Sequence, residues 1–253
     1  MCKLLKETRV ALGSAILSFS FLASSAYALP VLQLTIGGGT YNNSTETTLA
    51  AGNVFTLDAL YSGTKASIGD TFYISAALER GPGDGSVNDL GPVSNSPISG
   101  GSFVFAGNTV NVSSGMTYGS PLGMPPHGEF DTFFKEFSFQ FDASQKTAAF
   151  DTSTSTPAGA LASGCVSNCL YFVPFVIDTT GLDSAYSIHF DLYLKTDGSV
   201  DKDIKAPFSH DAQSGVGGGG GGGGSGEPVP EPASLALFGL GLLGLAVTYR
   251  RRS

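Results

Sequence analysis

Three histidines stand beside carboxylates in this chain: His127-Gly-Glu129, His189-Phe-Asp191 and His210-Asp211. An imidazole next to a carboxylate is the raw material of a metal shell. None of these spacings matches a zinc pattern, however, and histidines among polar residues are ordinarily solvated or hydrogen-bonded. The sequence therefore assigns no metal ligands. Two acidic stretches, Asp84-Gly-Ser-Val-Asn88-Asp89 and Asp197-Gly-Ser-Val-Asp201-Lys-Asp203, offer several hard oxygens each. Neither has the D-x-D-x-D-G spacing of an EF-hand loop or its terminal bidentate Glu. Acidic turns are the default reading; weak Ca2+ binding stays open, and no other cofactor is expected.

Covalent and acid–base machinery is equally sparse. No G-x-S-x-G elbow occurs, and no H-E-x-x-H or S-x-x-K element stands in a suitable context. Paired carboxylates of a glycoside hydrolase need only be near in space, so one sequence leaves them open. The chain has no Trp, which counts against a sugar-stacking groove. Tyr41, Tyr61, Tyr118 and Tyr193 are the rings that could stack in its place. The expectation is a protein that is not an enzyme.

The elements that must position these residues read as strands. Tyr186, Ile188, Phe190, Leu192 and Leu194 alternate with Ser187, His189, Asp191, Tyr193 and Lys195, and Phe137, Phe139 and Phe141 alternate with Ser138, Gln140 and Asp142. Period two over such lengths predicts strands with one buried face, which puts His189 and Asp191 on a polar face. Further strands are expected at Val31–Ile36, Val54–Tyr61, Thr71–Leu78, Ser102–Phe105, Thr109–Ser113 and Tyr171–Ile177. Gly107-Asn108 reads as a tight hairpin turn, since both residues tolerate positive φ. Gly81–Pro97, Gly119–Gly128 and Ser153–Gly164 read as loops. With no convincing helical stripe, the expectation is an all-β body over residues 29–213, eight to ten antiparallel strands forming a β-sandwich or jelly roll.

Both ends of the chain read as addresses. Met1–Arg9 is a basic n-region, Val10–Leu22 an apolar h-region too short to span a membrane, and Ala26-Tyr27-Ala28 supplies small residues at −3 and −1. Residues 1–28 thus read as a signal peptide, with Ala26 and Ala28 marking the cut and Leu29 the mature start. Export leaves Cys165 and Cys169 as the last two thiols, and in an oxidising compartment this C-x₃-C pair is expected to form a small disulfide loop. Residues 214–228 read as a Gly-rich tether, with an unbroken Gly run from Gly217 to Gly224. Ala233–Thr248 carries no charge, and Arg250, Arg251 and Arg252 follow. A transmembrane helix over 233–249 is therefore expected, with the Arg cluster as the membrane stop signal on the cytoplasmic side.

Pro230-Glu231-Pro232, then a short Leu/Gly-rich helix, then a terminal Arg cluster resembles the PEP-CTERM sorting signal of exported bacterial proteins. The resemblance covers 229–253. It implies an exosortase-type membrane protease that reads Pro230, Glu231 and Pro232, after a signal peptidase has cut the other end. It also implies a membrane-inserted precursor, held transiently by its helix, that matures to the cell surface or extracellular space. Gly69–Leu78 and Ala206–Ser214 resemble elements of "choice-of-anchor" body domains, which stand upstream of such tails and imply no activity. Between Leu29 and Glu231, 7 basic residues face 20 acidic ones, a balance that repels nucleic acid. The expected function is thus a cell-surface or extracellular-matrix protein of unknown ligand, with extracellular polysaccharide as a candidate partner. The alternative is a secreted carbohydrate-binding module or carbohydrate-active enzyme that uses calcium.

Overall fold

Alternating apolar residues become the interior of two facing β-sheets. A computed structural model describes residues 29–81, 93–96, 98–126 and 128–215. Outside them lie the signal peptide with Ala26 and Ala28, the Asp84–Asp89 stretch, His127, the Gly217–Gly224 run, Pro230, Glu231, Pro232, the 233–249 segment and Arg250–Arg252. In chain order the strands are β1 (Leu32–Ile36), β2 (Thr40–Asn42), β3 (Thr47–Leu49), β4 (Val54–Tyr61), β5 (Phe72–Arg80), β6 (Ser102–Phe105) and β7 (Asn108–Asn111). They continue with β8 (Thr117–Gly119), β9 (Thr132–Phe139), β10 (Lys146–Ala148), β11 (Cys169–Asp178), β12 (Tyr186–Thr196), β13 (Ser199–Lys205) and β14 (Asp211–Gln213). The first sheet runs β1-β4-β11-β6-β7, with β10 also on β11; the second runs β2-β3-β14-β12-β5-β9-β8, with β13 also on β12.

The all-β expectation holds. The core lies between the sheets, with Leu32, Leu34, Leu57, Phe105 and Ile177 from the first sheet and Phe72, Ile74, Ile188, Phe190 and Leu192 from the second. Aromatic rings bridge the layers: Phe105 stacks on Phe137 at 3.9 Å between centroids, and Phe55 meets Phe190 edge-on at 6.3 Å. Burying this much aromatic surface is the main source of stability available to such a chain. Cys165 and Cys169 are bonded to each other, with Cα atoms 5.8 Å apart.

Several expectations need correction. The described residues hold fourteen strands rather than eight to ten, and β14 pairs with β3 in parallel. Five of the additional strands (β2, β3, β8, β10 and β14) have three residues each, too few for a period-two pattern to register. The stretch Asp197–Asp203 is a hairpin, not an acidic loop: only Asp197 and Gly198, at φ 53° and 80°, form the turn. Asp201 accepts there from Thr196 Oγ1 at 3.0 Å and from the backbone N–H of Asp203 at 2.9 Å. The β6–β7 turn falls on Ala106 and Gly107, at φ 47° and 82°, one residue earlier than expected, and Asn108 opens β7.

The largest departure concerns β12. Its polar residues are not on a solvated face, because Ser187, His189, Asp191 and Tyr193 are about as buried as Ile188, Phe190 and Leu192 between them. Both faces of the central strand are covered, one by the opposing sheet and the other by polar neighbours.

Candidate functional site

Register brings the polar residues of three strands together on the outer face of the second sheet. His189 lies opposite Gln213 of β14 and Ala77 of β5, and Asp191 lies opposite Ser75 of β5. The opposite face carries Ile188, Phe190 and Leu192 into the core. Strand alternation thus aims Ser187, His189, Asp191, Asp211, Gln213, Ser75 and Glu79 to one side. Ala77, facing His189, has the smallest side chain that keeps this alternation. Glu129 joins them from the segment that precedes β9. His189, Glu79 and Glu129 offer ligand atoms within 4.8 Å of one another, and so do His189, Asp191 and Asp211.

All five are more than nine-tenths buried, with relative exposures of 0% for Glu79, 8% for Glu129, 2% for His189, 3% for Asp191 and 1% for Asp211. His189 Nε2 lies 3.6 Å from Asp191 Oδ1 and 3.6 Å from Asp211 Oδ2. Neutral neighbours hold the carboxylates from behind. Ser75 donates to Asp191 Oδ2 at 2.7 Å, while Gln213 Nε2 donates to Glu79 Oε2 at 2.6 Å and to Ser187 Oγ at 3.0 Å. Burial by itself lowers the pKa of His189. The adjoining Asp191 and Asp211, with the charge of Glu129, outweigh that effect and hold it well above the ordinary 6.5. The sign is that of an imidazole surrounded by negative charge.

Farther along the same face, Tyr193 donates to Glu136 Oε1 at 2.6 Å and Lys195 Nζ pairs with the same carboxylate at 2.6 Å. Lys195 also sits 4.8 Å above the Tyr73 ring. Burial first, and then Glu136, raise the Tyr193 phenol far beyond its usual range, so it stays a donor.

The three His–carboxylate pairs read in the sequence are therefore split and recombined. Their carboxylates, Glu129, Asp191 and Asp211, meet around His189. His210 turns away: its Nε2 contacts Asp151 Oδ1 at 3.0 Å and its Nδ1 contacts Ser209 Oγ at 2.9 Å. Burial raises the Asp151 pKa, but the hydrogen bonds from Ser153 and His210 prevail and hold it below the usual carboxylate range. Glu79 was not singled out by sequence, because the expected strand stopped at Leu78. Carrying the alternation Tyr73, Ser75, Ala77 one step further would have reached it. Of the four tyrosines considered for sugar stacking, Tyr61 and Tyr193 are fully buried and Tyr41 and Tyr118 are partly exposed.

The second functional region is the tail. The sequence model of the PEP-CTERM protein-sorting motif matches residues 228–252. The motif marks an exported protein, held at the membrane and sorted through an exosortase. No curated protein matches the chain. Among the described residues, no helix is long and apolar enough to cross a membrane.

Proposed function

We propose that this chain is a cell-surface or extracellular-matrix protein whose β body is displayed, without enzymatic activity, after its tail has been processed. The observation that carries the reading is the PEP-CTERM match over 228–252. Pro230, Glu231 and Pro232 are the residues an exosortase grips. The two prolines cannot continue the helix upstream and favour an extended segment suited to a protease cleft. The 233–249 segment inserts only long enough for the cut, since the sixteen residues of Ala233–Thr248 reach about 24 Å as a helix against roughly 30 Å of hydrocarbon. Arg250, Arg251 and Arg252 resist translocation. Signal peptidase cuts after Ala28.

The body fits display. Its Cys165–Cys169 bond accords with an oxidising compartment. Its acidic balance disfavours nucleic acid, and its likeness to choice-of-anchor domains accords with a module carried to the surface. Extracellular polysaccharide is the partner we favour there. The carbohydrate-active alternative has lost two of the rings it would use, Tyr61 and Tyr193, to the interior.

Pulse-chase labelling in a host that carries the exosortase tests the reading. Wild type should shorten with time, while Glu231→Ala should accumulate as the long form in the inner membrane. A wild-type mass that never changes would make the tail a permanent anchor.

A further inference from the structure

We propose that residues 149–164 form a lid on the first sheet, latched while Asp58 holds a proton and released when that proton leaves. The lid is an Ω-loop in form. Its sixteen residues have their ends tied at the base: Ala149 N–H donates to the Asn168 carbonyl at 2.9 Å, and Gly164 N–H to the Lys146 carbonyl at 3.0 Å. It can therefore swing without unpairing β10 from β11.

Alternation places Asp58 beneath this loop. Leu57, Ala59 and Tyr61 of β4 and Leu32, Leu34 and Ile36 of β1 face the core, so Asp58, Leu60, Gln33 and Thr35 point away from it. All four are nevertheless buried. The loop is what covers them. Gln33 Nε2 donates to the Phe150 carbonyl at 3.3 Å, and Gln33 Oε1 accepts from Thr152 N–H at 2.9 Å. Leu60, with Leu170 and Phe172, packs against Phe150 and Leu161. Gly38 N–H donates to the Pro157 carbonyl at 2.8 Å, and a Cβ on Gly37 would lie 2.9 Å from the Gly159 carbonyl oxygen. Thr35 falls between these two sets of contacts and stands directly opposite Asp58.

Under the lid the polar atoms are unpaired. Both Asp58 oxygens, Thr35 Oγ1 and Thr152 Oγ1 are buried with no hydrogen-bond partner among the described residues. No cation among those residues faces the carboxyl either. β1 carries no charge, and β11 offers Pro174 opposite Asp58 and a further acid, Asp178, at its far end. In the loop the one ionisable side chain is Asp151, which is bound to His210 at 3.0 Å and to Ser153 at 2.6 Å. At the base, Lys146 lies over the Tyr171 ring at 4.9 Å. A charge on Asp58 is thus tolerated only once water enters, and burial accordingly pushes its carboxyl up to about 7. The loop is the element that gives way. Among the described residues its span is hydrogen-bonded to the body only through Gln33, Gly38 and His210, whereas β4 is paired with β11 over its whole length.

The test is hydrogen exchange of the full-length chain in detergent from pH 5 to pH 8, corrected for the intrinsic pH dependence of amide exchange. The raised carboxyl makes the latch strongest at low pH and weakens it as the pH rises toward about 7. Opening of 149–164 should therefore grow about tenfold per pH unit below 7 and level off above it, roughly 100-fold in all. The loop should exchange ahead of β12 at every pH, as a local opening does. Asp58→Asn, or Asp58→Ser should that variant not fold, should keep the loop closed and flatten the slope. Asp151 is held below the usual carboxylate range and stays ionised throughout. His210→Gln should therefore loosen the loop at each pH and leave the slope in place. A loop whose protection does not change with pH, one that opens only together with β12, a slope that survives both Asp58 variants, or one abolished by His210→Gln would overturn the proposal.

Discussion

Asp58 shows how much one residue can store against the fold. It lies on β4 between Thr35 of β1 and Pro174 of β11, and is 1% exposed. Neither of its carboxylate oxygens has a hydrogen-bond partner among the described residues. Pro174 has no N–H to offer. Burial alone pushes the Asp58 carboxyl up to about 7 from 3.8. Because the folded value is raised, the native state holds the proton more tightly than the unfolded chain. The contribution to stability is fully present below about pH 4 and is lost as the pH rises through about 7. Asp58→Asn should therefore stabilise the protein at pH 8 by about 2–4 kcal/mol, with the advantage shrinking toward zero at pH 4. Paired denaturant melts at the two pH values measure it. An equal effect at both would mean that Asp58 titrates alike in the folded and unfolded chain, with no raised pKa in the fold. Sequence could not reveal this residue, since Asp58 interrupts an otherwise apolar run in β4 and nothing local says which layer covers it. His189 and Asp191 taught the same lesson from the other side. Their shared face follows from the Tyr186–Leu194 alternation, but the burial of that face depends on Glu79, Glu129 and Asp211, which are distant in sequence.

At the scale of elements, long strands with strong alternation were legible and short ones were not. β4 and β6 have the limits their apolar patterns predict. β13 was hidden because Asp201, Lys202 and Asp203 made an edge strand look like an acidic turn, although Asp197-Gly198 is a favoured two-residue hairpin turn. β14 was hidden by its length. Turn chemistry also separates two glycines of similar φ. Gly101, at φ +79°, would place a Cβ 2.1 Å from the carbonyl oxygen of Gly181, whereas Gly107, at φ +82°, has nothing within 4 Å. Gly107→Ala should cost roughly 1–2 kcal/mol, the price of left-handed backbone alone. Gly101→Ala adds a backbone clash and should cost about 3 kcal/mol or more, with loss of the β6–β7 hairpin. Chemical denaturation of the two variants gives the comparison, and equal losses would refute the packing described around Gly101.

For the whole molecule, the body and the tail divide the work. The sandwich supplies a rigid acidic module, and β14 delivers the chain through Gly215 toward the Gly run. On the proposed function, a dozen Gly-rich residues behaving as a flexible chain would span roughly 20 Å and hold the body off the bilayer while the tail is processed. Deleting Gly217–Gly224 should slow processing by crowding the body against the membrane without abolishing it, a milder defect than Glu231→Ala in the same pulse-chase. Complete arrest on deletion would assign the run a recognition role instead. The central claim is that both ends are removed and the body is what remains at the surface. Its most direct test is the intact mass and terminal peptides of the native protein from a host carrying the exosortase. The account predicts a mature N-terminus at Leu29 and a C-terminus near Pro230-Glu231-Pro232, with Arg250–Arg252 absent. A mature protein that still ends at Ser253 would contradict it.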